Sequence, residues 1–233
     1  MSDGGAPQGL RGAHPAAAFE GETPVKDLRR YYGADEASDT DPRFTGGWFE
    51  RLAGGGDRPA VANRVTAEDL IAVQMLSVRV PAGVAINLLE RDLGPTLGRL
   101  LADIPTGLDL ADADQAHVAD GSPADQAWQL LRAQPGIGPV IASKLLARKR
   151  PRPLPIYDDV VRCALGWTGG FWLTLRAALR DHDHALHHQL IQLRDTADLP
   201  VQVSPLRTFD VAIWMRHHDQ HRRGDCPGPT TSN

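Results

Sequence analysis

Leu130-Leu131-Arg132-Ala133-Gln134-Pro135-Gly136-Ile137-Gly138-Pro139-Val140-Ile141-Ala142-Ser143-Lys144-Leu145-Leu146 is the most informative stretch of the chain. Two apolar pairs flank a Pro-Gly-Ile-Gly turn, so the stretch reads as two short helices joined by a tight bend. Glycine tolerates positive φ and lets another backbone come close, and Ile137 between the glycines is placed to plug the space between the helices. Pro139 has no N–H, but its φ already suits the first helical position. The amides of Gly138 and the residues after it would then face outward with the positive end of a helix behind them, an arrangement that suits a phosphate.

Helix signals continue on both sides. Ser122-Pro123-Ala124-Asp125 supplies a cap, a first-turn proline and an early acid. Upstream, Thr66 with Asp69 three residues on forms a capping box, followed by Leu70, Val73 and Leu76. Val84, Ile86, Leu88, Leu89, Leu93, Leu97, Leu100 and Leu101 extend an amphipathic run, with Gly94-Pro95 as its expected joint. Residues 102–121 are a polar, Asp-rich connection. Downstream, Asp158 or Asp159 opens a short helix ending near Gly166, residues 171–195 carry a leucine stripe, and Ser204 caps a last helix. No segment alternates as a strand would. The expectation is an all-α domain of roughly eight to ten helices over residues 23–221, between a disordered tail (1–22) and a flexible one (222–233). The helix pair lies at about 123–149 and an Asp-bearing loop and helix at 152–166.

Charge is unevenly placed. The 233 residues carry 25 Lys+Arg and 29 Asp+Glu, a formal net charge of −4, which argues against a general polyanion binder. Residues 132–162 nevertheless hold Arg132, Lys144, Arg148, Lys149, Arg150, Arg152 and Arg162 against Asp158 and Asp159, a local sum of +5 that leaves −9 for the rest. Such an island is either a localised anion site or a solvated helix end. The longest uncharged apolar stretch, near 71–78, is too short to span a bilayer, and the N-terminus shows no export signal. Cys163 and Cys226 cannot build a disulfide scaffold or a four-cysteine site, so the expected compartment is the cytoplasm, with the nucleoid as a possible location.

Residues 130–146 resemble the helix-hairpin-helix motif. The resemblance implies hairpin amides on a DNA backbone phosphate, without base readout, and allows a monovalent cation on hairpin carbonyls. Downstream lies Leu154-Pro155-Ile156-Tyr157-Asp158-Asp159-Val160-Val161-Arg162, with Asp158 twenty residues after Gly138. This extends the resemblance, over about 124–166, to the helix-hairpin-helix DNA glycosylases, and implies Asp158 in the place of their catalytic aspartate. Asp159 is the alternative, because sequence does not fix the loop register. A carboxylate there would stabilise the positive charge that base excision develops on the sugar, or activate water. Gly136, Ile137, Gly138 and Val140 would contact phosphate, while Lys144, Arg148, Lys149 and Arg152 would neutralise the backbone.

Three departures qualify this. Val140 stands where lyase-active relatives carry lysine, which disfavours an imine there, and Lys144 comes about one turn later. Two cysteines cannot hold the relatives' iron–sulfur cluster. Tyr157 replaces a small or aliphatic residue before the aspartate. The flanks, including Phe49-Glu50-Arg51-Leu52-Ala53-Gly54 and Thr66-Ala67-Glu68-Asp69-Leu70-Ile71-Ala72-Val73, are similar to an actinobacterial family of uncharacterised proteins.

Three readings stay open: a monofunctional base-releasing hydrolase, a non-catalytic DNA-binding module in which Asp158 is a helix cap, and a helical protein-interaction domain. His182, His184, His187 and His188 read as a solvated helix face, so no metal site is expected. Trp128, Trp172 and Trp214 read as core. Tyr31, Tyr32 and Trp48 read as core or loop packing, with stacking on a flipped base the alternative.

Overall fold

Nine α-helices and no strand occur among the described residues, 15–34, 44–166 and 170–225 of a computed structural model. They are α1 (Thr23–Tyr32), α2 (Ala67–Gln74), α3 (Ala82–Glu90), α4 (Leu93–Ala102), α5 (Pro123–Arg132), α6 (Pro139–Lys149), α7 (Asp159–Leu165), α8 (Phe171–Thr196) and α9 (Pro205–Arg223). None is long and apolar enough to cross a membrane.

The sequence caps are in place. Ser122 Oγ accepts the Asp125 N–H at 3.1 Å, Ser204 Oγ accepts the Arg207 N–H at 3.2 Å, and Thr66 and Asp69 form the capping box of α2. The α3–α4 joint differs from expectation. It falls at Arg91-Asp92, and Gly94-Pro95 lies inside the first turn of α4, where a proline costs no helical hydrogen bond. Gly94 allows a close approach there, since a Cβ would stand 2.1 Å from the Leu88 carbonyl oxygen.

The helices form two groups. In one, α5 and α6 pack as a hairpin, with α2 against α6 and α4 against α5 and α3; in the other, α9 packs on α1, α7 and α8. Leu131, Ile137, Leu145 and Leu146 fill the hairpin's inner side and are all nearly inaccessible; burying each such side chain is worth about 1.5–3 kcal/mol.

The tail boundaries shift. Ala18 and Phe19 are buried, and the Phe19 ring lies 5.4 Å from that of Phe209, so the folded unit begins before residue 22. Helix α9 runs on to Arg223. Residues 1–14, the acidic segment 35–43 and residues 226–233, Cys226 included, lie outside the described residues. The connection 102–121 is not simply polar, because Leu110, Ala111 and Ala113 are fully buried.

Candidate functional site: a hairpin beside a carboxylate cleft

The hairpin turn has the expected backbone. Gly136 adopts φ +78°, and a Cβ there would stand 2.9 Å from Pro81 Cγ. Ile137 is 4% exposed and donates its N–H to the Gln134 carbonyl at 3.1 Å. Gly138, the N-cap of α6, is extended (φ −84°, ψ 176°), and the space where its Cβ would be is open. The first-turn N–H groups of α6 have no acceptor within the helix, and Val140 and Ile141 are half-buried rather than covered.

The basic island, by contrast, faces inward. Ala142 to Lys149 are all buried. Arg148 and Lys149 both pair with Asp69, at 3.0 and 2.8 Å, and all three side chains are at most 1% exposed. Arg148 also donates to the carbonyls of Phe49, Glu50 and Leu52, and Lys149 to that of Val61. Arg150 donates to the carbonyls of Ala62, Leu101 and Ile104. These cations satisfy carbonyls of segment 49–63, which holds only one short 3-10 helix (Leu52–Gly54), and of the end of α4 and the turn after it. Arg152 pairs with Asp109 at 2.9 Å.

The expectation that Lys144, Arg148, Lys149 and Arg152 neutralise a DNA backbone is therefore corrected: each is turned onto an internal anion or carbonyl. Gly54-Gly55-Gly56 is a place of close contact. A Cβ on Gly56 would stand 2.4 Å from the Arg148 carbonyl oxygen and 2.7 Å from Asp69 Oδ1.

Lys144 points toward a cleft. Its Nζ donates to the Leu76 carbonyl at 2.9 Å and lies 3.4 Å from Asp158 Oδ2. Asp158 is the N-cap of α7, with Oδ1 accepting the Val160 N–H at 2.9 Å. Asp159 is 61% exposed and pairs with Arg162. The register left open by the sequence is thus resolved in favour of Asp158 as the residue facing Lys144.

The cleft, about 310 Å³ in volume, is walled by Tyr31, Phe44, Val140, Lys144, Asp158 and Trp214, with Arg207 and Asp210 behind them. Phe44 stacks on Tyr31 at 5.3 Å and meets Trp214 edge-on. A cavity of about 350 Å³ under Arg51, Gly55 and Pro151 meets the end of α6 at Ala147 and Arg148 but reaches neither the hairpin turn nor Asp158.

Sequence reasoning missed the contribution of α9. Arg207 is buried and donates to Glu50, Asp210 and, at 2.8 Å, the Tyr31 hydroxyl. Burial opposes its charge, yet the surrounding Tyr31, Glu50, Tyr32 and Asp210 hold its pKa well above the usual value. Burial pushes Asp210 up to about 6, against the pull of Arg207 and with repulsion from Asp158 adding to the rise. Its Oδ1 is buried without a hydrogen-bond partner. Burial likewise pushes Tyr31 up to about 12. The available signal was an Arg207/Asp210 pair, three residues apart, inside an otherwise apolar run.

Arg79, two residues before Pro81, and Arg132, at the end of α5, are exposed near the turn. They make no ion pair among the described residues. They are the cations that can meet an anion approaching the hairpin.

Fold and site together define a helical protein in which a Pro-Gly-Ile-Gly hairpin borders a cleft holding a carboxylate and an ammonium group. A family model described as a family of unknown function, DUF6308, matches residues 24–217, and the chain belongs to that family. No curated protein and no solved structure matches it.

Proposed function

We propose that this protein binds DNA through the hairpin and hydrolyses an N-glycosidic bond in the adjoining cleft, using Asp158. The observation that carries the reading is the placement of Val140. It is the second residue after Gly138, with its backbone in the hairpin's donor turn, and its side chain lines the same cleft as Asp158. A phosphate held at the turn would put a neighbouring nucleotide at the cleft mouth.

In this reading an unstacked base enters the cleft and packs against the wall made by the Tyr31–Phe44–Trp214 cluster, whose rings already pack on one another. Bond breaking leaves positive charge on the sugar, and Asp158 stabilises it while a water oxygen bonds to the anomeric carbon and gives up a proton to the Asp158 carboxylate. The carbon–nitrogen bond breaks, and the base departs with a proton. Asp210 is protonated over part of the accessible pH range and is one source of that proton. Lys144, held by the Leu76 carbonyl, fixes the orientation of Asp158. No cofactor is needed for these steps, and a cytoplasmic, nucleoid-bound location would suit them. The hairpin contact would be sequence-independent, because it is made to phosphate.

Release of free base from duplexes carrying a panel of damaged or mismatched bases tests the reading, with Asp158→Asn as control. Release by the native chain and its loss by about 10²-fold or more in the variant is the expected result. Absence of release from every substrate removes the catalytic reading. A second reading has a specific observation in its favour: both Asp158 oxygens already serve structural partners, Val160 N–H and Lys144. A chain that binds duplex DNA without releasing base would be the non-catalytic module.

A further inference from the structure

Helix α8 is broken at its middle. Asp181 has ψ 150°, and His182, Asp183 and His184 all have positive φ of 49–63°. Three consecutive non-glycine residues in the left-handed region are costly, roughly 1–2 kcal/mol each. His184 and His187 lie against the turn at 109–112, with the His188 ring beside them, 6.3 Å and 6.0 Å from theirs.

That turn is built to receive them. The Asp112 N–H closes it on the Asp109 carbonyl at 2.9 Å. The first half of α8 grips the segment just beyond, with Arg180 donating to the Ala111 carbonyl at 2.7 Å and Arg176 to that of Ala113 at 2.6 Å. Ligand atoms of Asp109, Asp112 and His187 lie within 4.8 Å of one another. His184 Nε2 is 3.8 Å from Asp112 Oδ1 and is a buried atom with no hydrogen-bond partner. The His187 side chain is only 9% exposed, its Nε2 is 4.0 Å from Asp109 Oδ2, and it makes no hydrogen bond. A buried imidazole, His187, and a partly exposed one, His184, whose Nε2 atom is itself buried, are therefore aimed at two carboxylates without bonding to them.

We propose that Asp109, Asp112, His184 and His187 form a binding site for one divalent transition metal ion of the zinc class, which staples the broken α8 to the 109–112 turn. Two nitrogens and two oxygens suit zinc better than magnesium or calcium, which take oxygen alone. Bonds of about 2.0–2.2 Å require the three donors Asp109, Asp112 and His187, now within 4.8 Å of one another, to draw in, and His184, which lies near Asp112 alone, to follow as the fourth; the exposed Asp112 is free to turn. Arg152 Nη1, bonded to both Asp109 oxygens at 2.9 and 3.0 Å, orients that carboxylate and offsets one of the two negative charges. The site is separate from the Asp158 cleft and does not depend on its function.

The test is titration of the full chain with zinc by calorimetry and with cobalt(II) by visible absorption. Native chain should bind one ion, with the intense bands of a low-symmetry cobalt site. His187→Ala and the exposed-site variant Asp112→Asn should each weaken binding at least about tenfold, while His188→Ala leaves it unchanged. Absence of saturable binding by the native chain, or binding that persists in both Asp112→Asn and His187→Ala, would overturn the proposal.

Discussion

Lys144 Nζ and Asp158 Oδ2 face each other at 3.4 Å, with side chains 6% and 16% exposed. The pair joins the hairpin's second helix to the first turn of α7, and it is why the hairpin and the cleft belong to one site. It also removes Lys144 from the surface, so the cations that reach DNA must come from elsewhere.

In the proposed DNA-binding reading, the exposed Arg79 and Arg132 would fill that role. Replacing either with Gln should lower the slope of log affinity against log salt by about one, with little change in stability. Arg148→Gln should do the reverse, lowering the melting temperature and leaving the slope of the folded fraction unchanged. Duplex binding measured across a salt series, beside thermal melts, separates the two sets. An unchanged slope in the Arg79 and Arg132 variants would contradict the assignment.

The two hairpin glycines should part company. Gly136→Ala meets positive φ and Pro81, and should cost about 1–2 kcal/mol of stability. Gly138→Ala has an ordinary backbone and open space, so its stability should be within about 0.5 kcal/mol of native. Its methyl group would stand between the turn and a phosphate, and duplex binding should fall about tenfold. Denaturant unfolding and a binding isotherm check both, and normal binding by Gly138→Ala would argue against phosphate at the turn.

Asp69 serves two buried cations at once. Asp69→Ala leaves Arg148 and Lys149 without their anion and should cost about 3–5 kcal/mol. Differential scanning calorimetry should show a fall of about 10 °C or more for a chain of this size. A loss under 1 kcal/mol would mean the carbonyls of segment 49–63 are enough on their own.

Asp210 should leave a mark on the pH dependence of stability. Its folded pKa of about 6 is above the ordinary 3.8, so between these values the folded chain holds a proton that the unfolded chain has released. Its contribution is full below about pH 4 and is lost as pH rises through 6, on the order of 3 kcal/mol. Subtracting the stability of Asp210→Asn from that of the native chain, from pH 4 to 7, should expose this downward trend. A flat difference would remove it.

The helix set was legible because its signals are local: Ser122, Thr66 and Ser204 announce helix starts, and leucine spacing gives the buried faces. The hairpin was legible for the same reason, since Gly136, at φ +78°, fixes a turn by backbone freedom alone. The fate of the basic island was not. Lys144, Arg148 and Lys149 look like a solvated face in one dimension, and only the return of Asp69 and the carbonyls of segment 49–63 from some 80–100 residues away shows them to be core. Arg207, Asp210 and Trp214 likewise enter the cleft through the packing of α9 on α1 and α7. The break in α8 has no sequence signal, as Asp181-His182-Asp183-His184 contains neither glycine nor proline.

The most direct test of Asp158 acting on a sugar cation uses duplexes holding one abasic analogue, either a positively charged pyrrolidine or a neutral tetrahydrofuran. The native chain should bind the charged analogue at least about tenfold more tightly, and Asp158→Asn should lose that preference while binding the neutral duplex as before. Equal affinity of the native chain for the two duplexes would contradict the account.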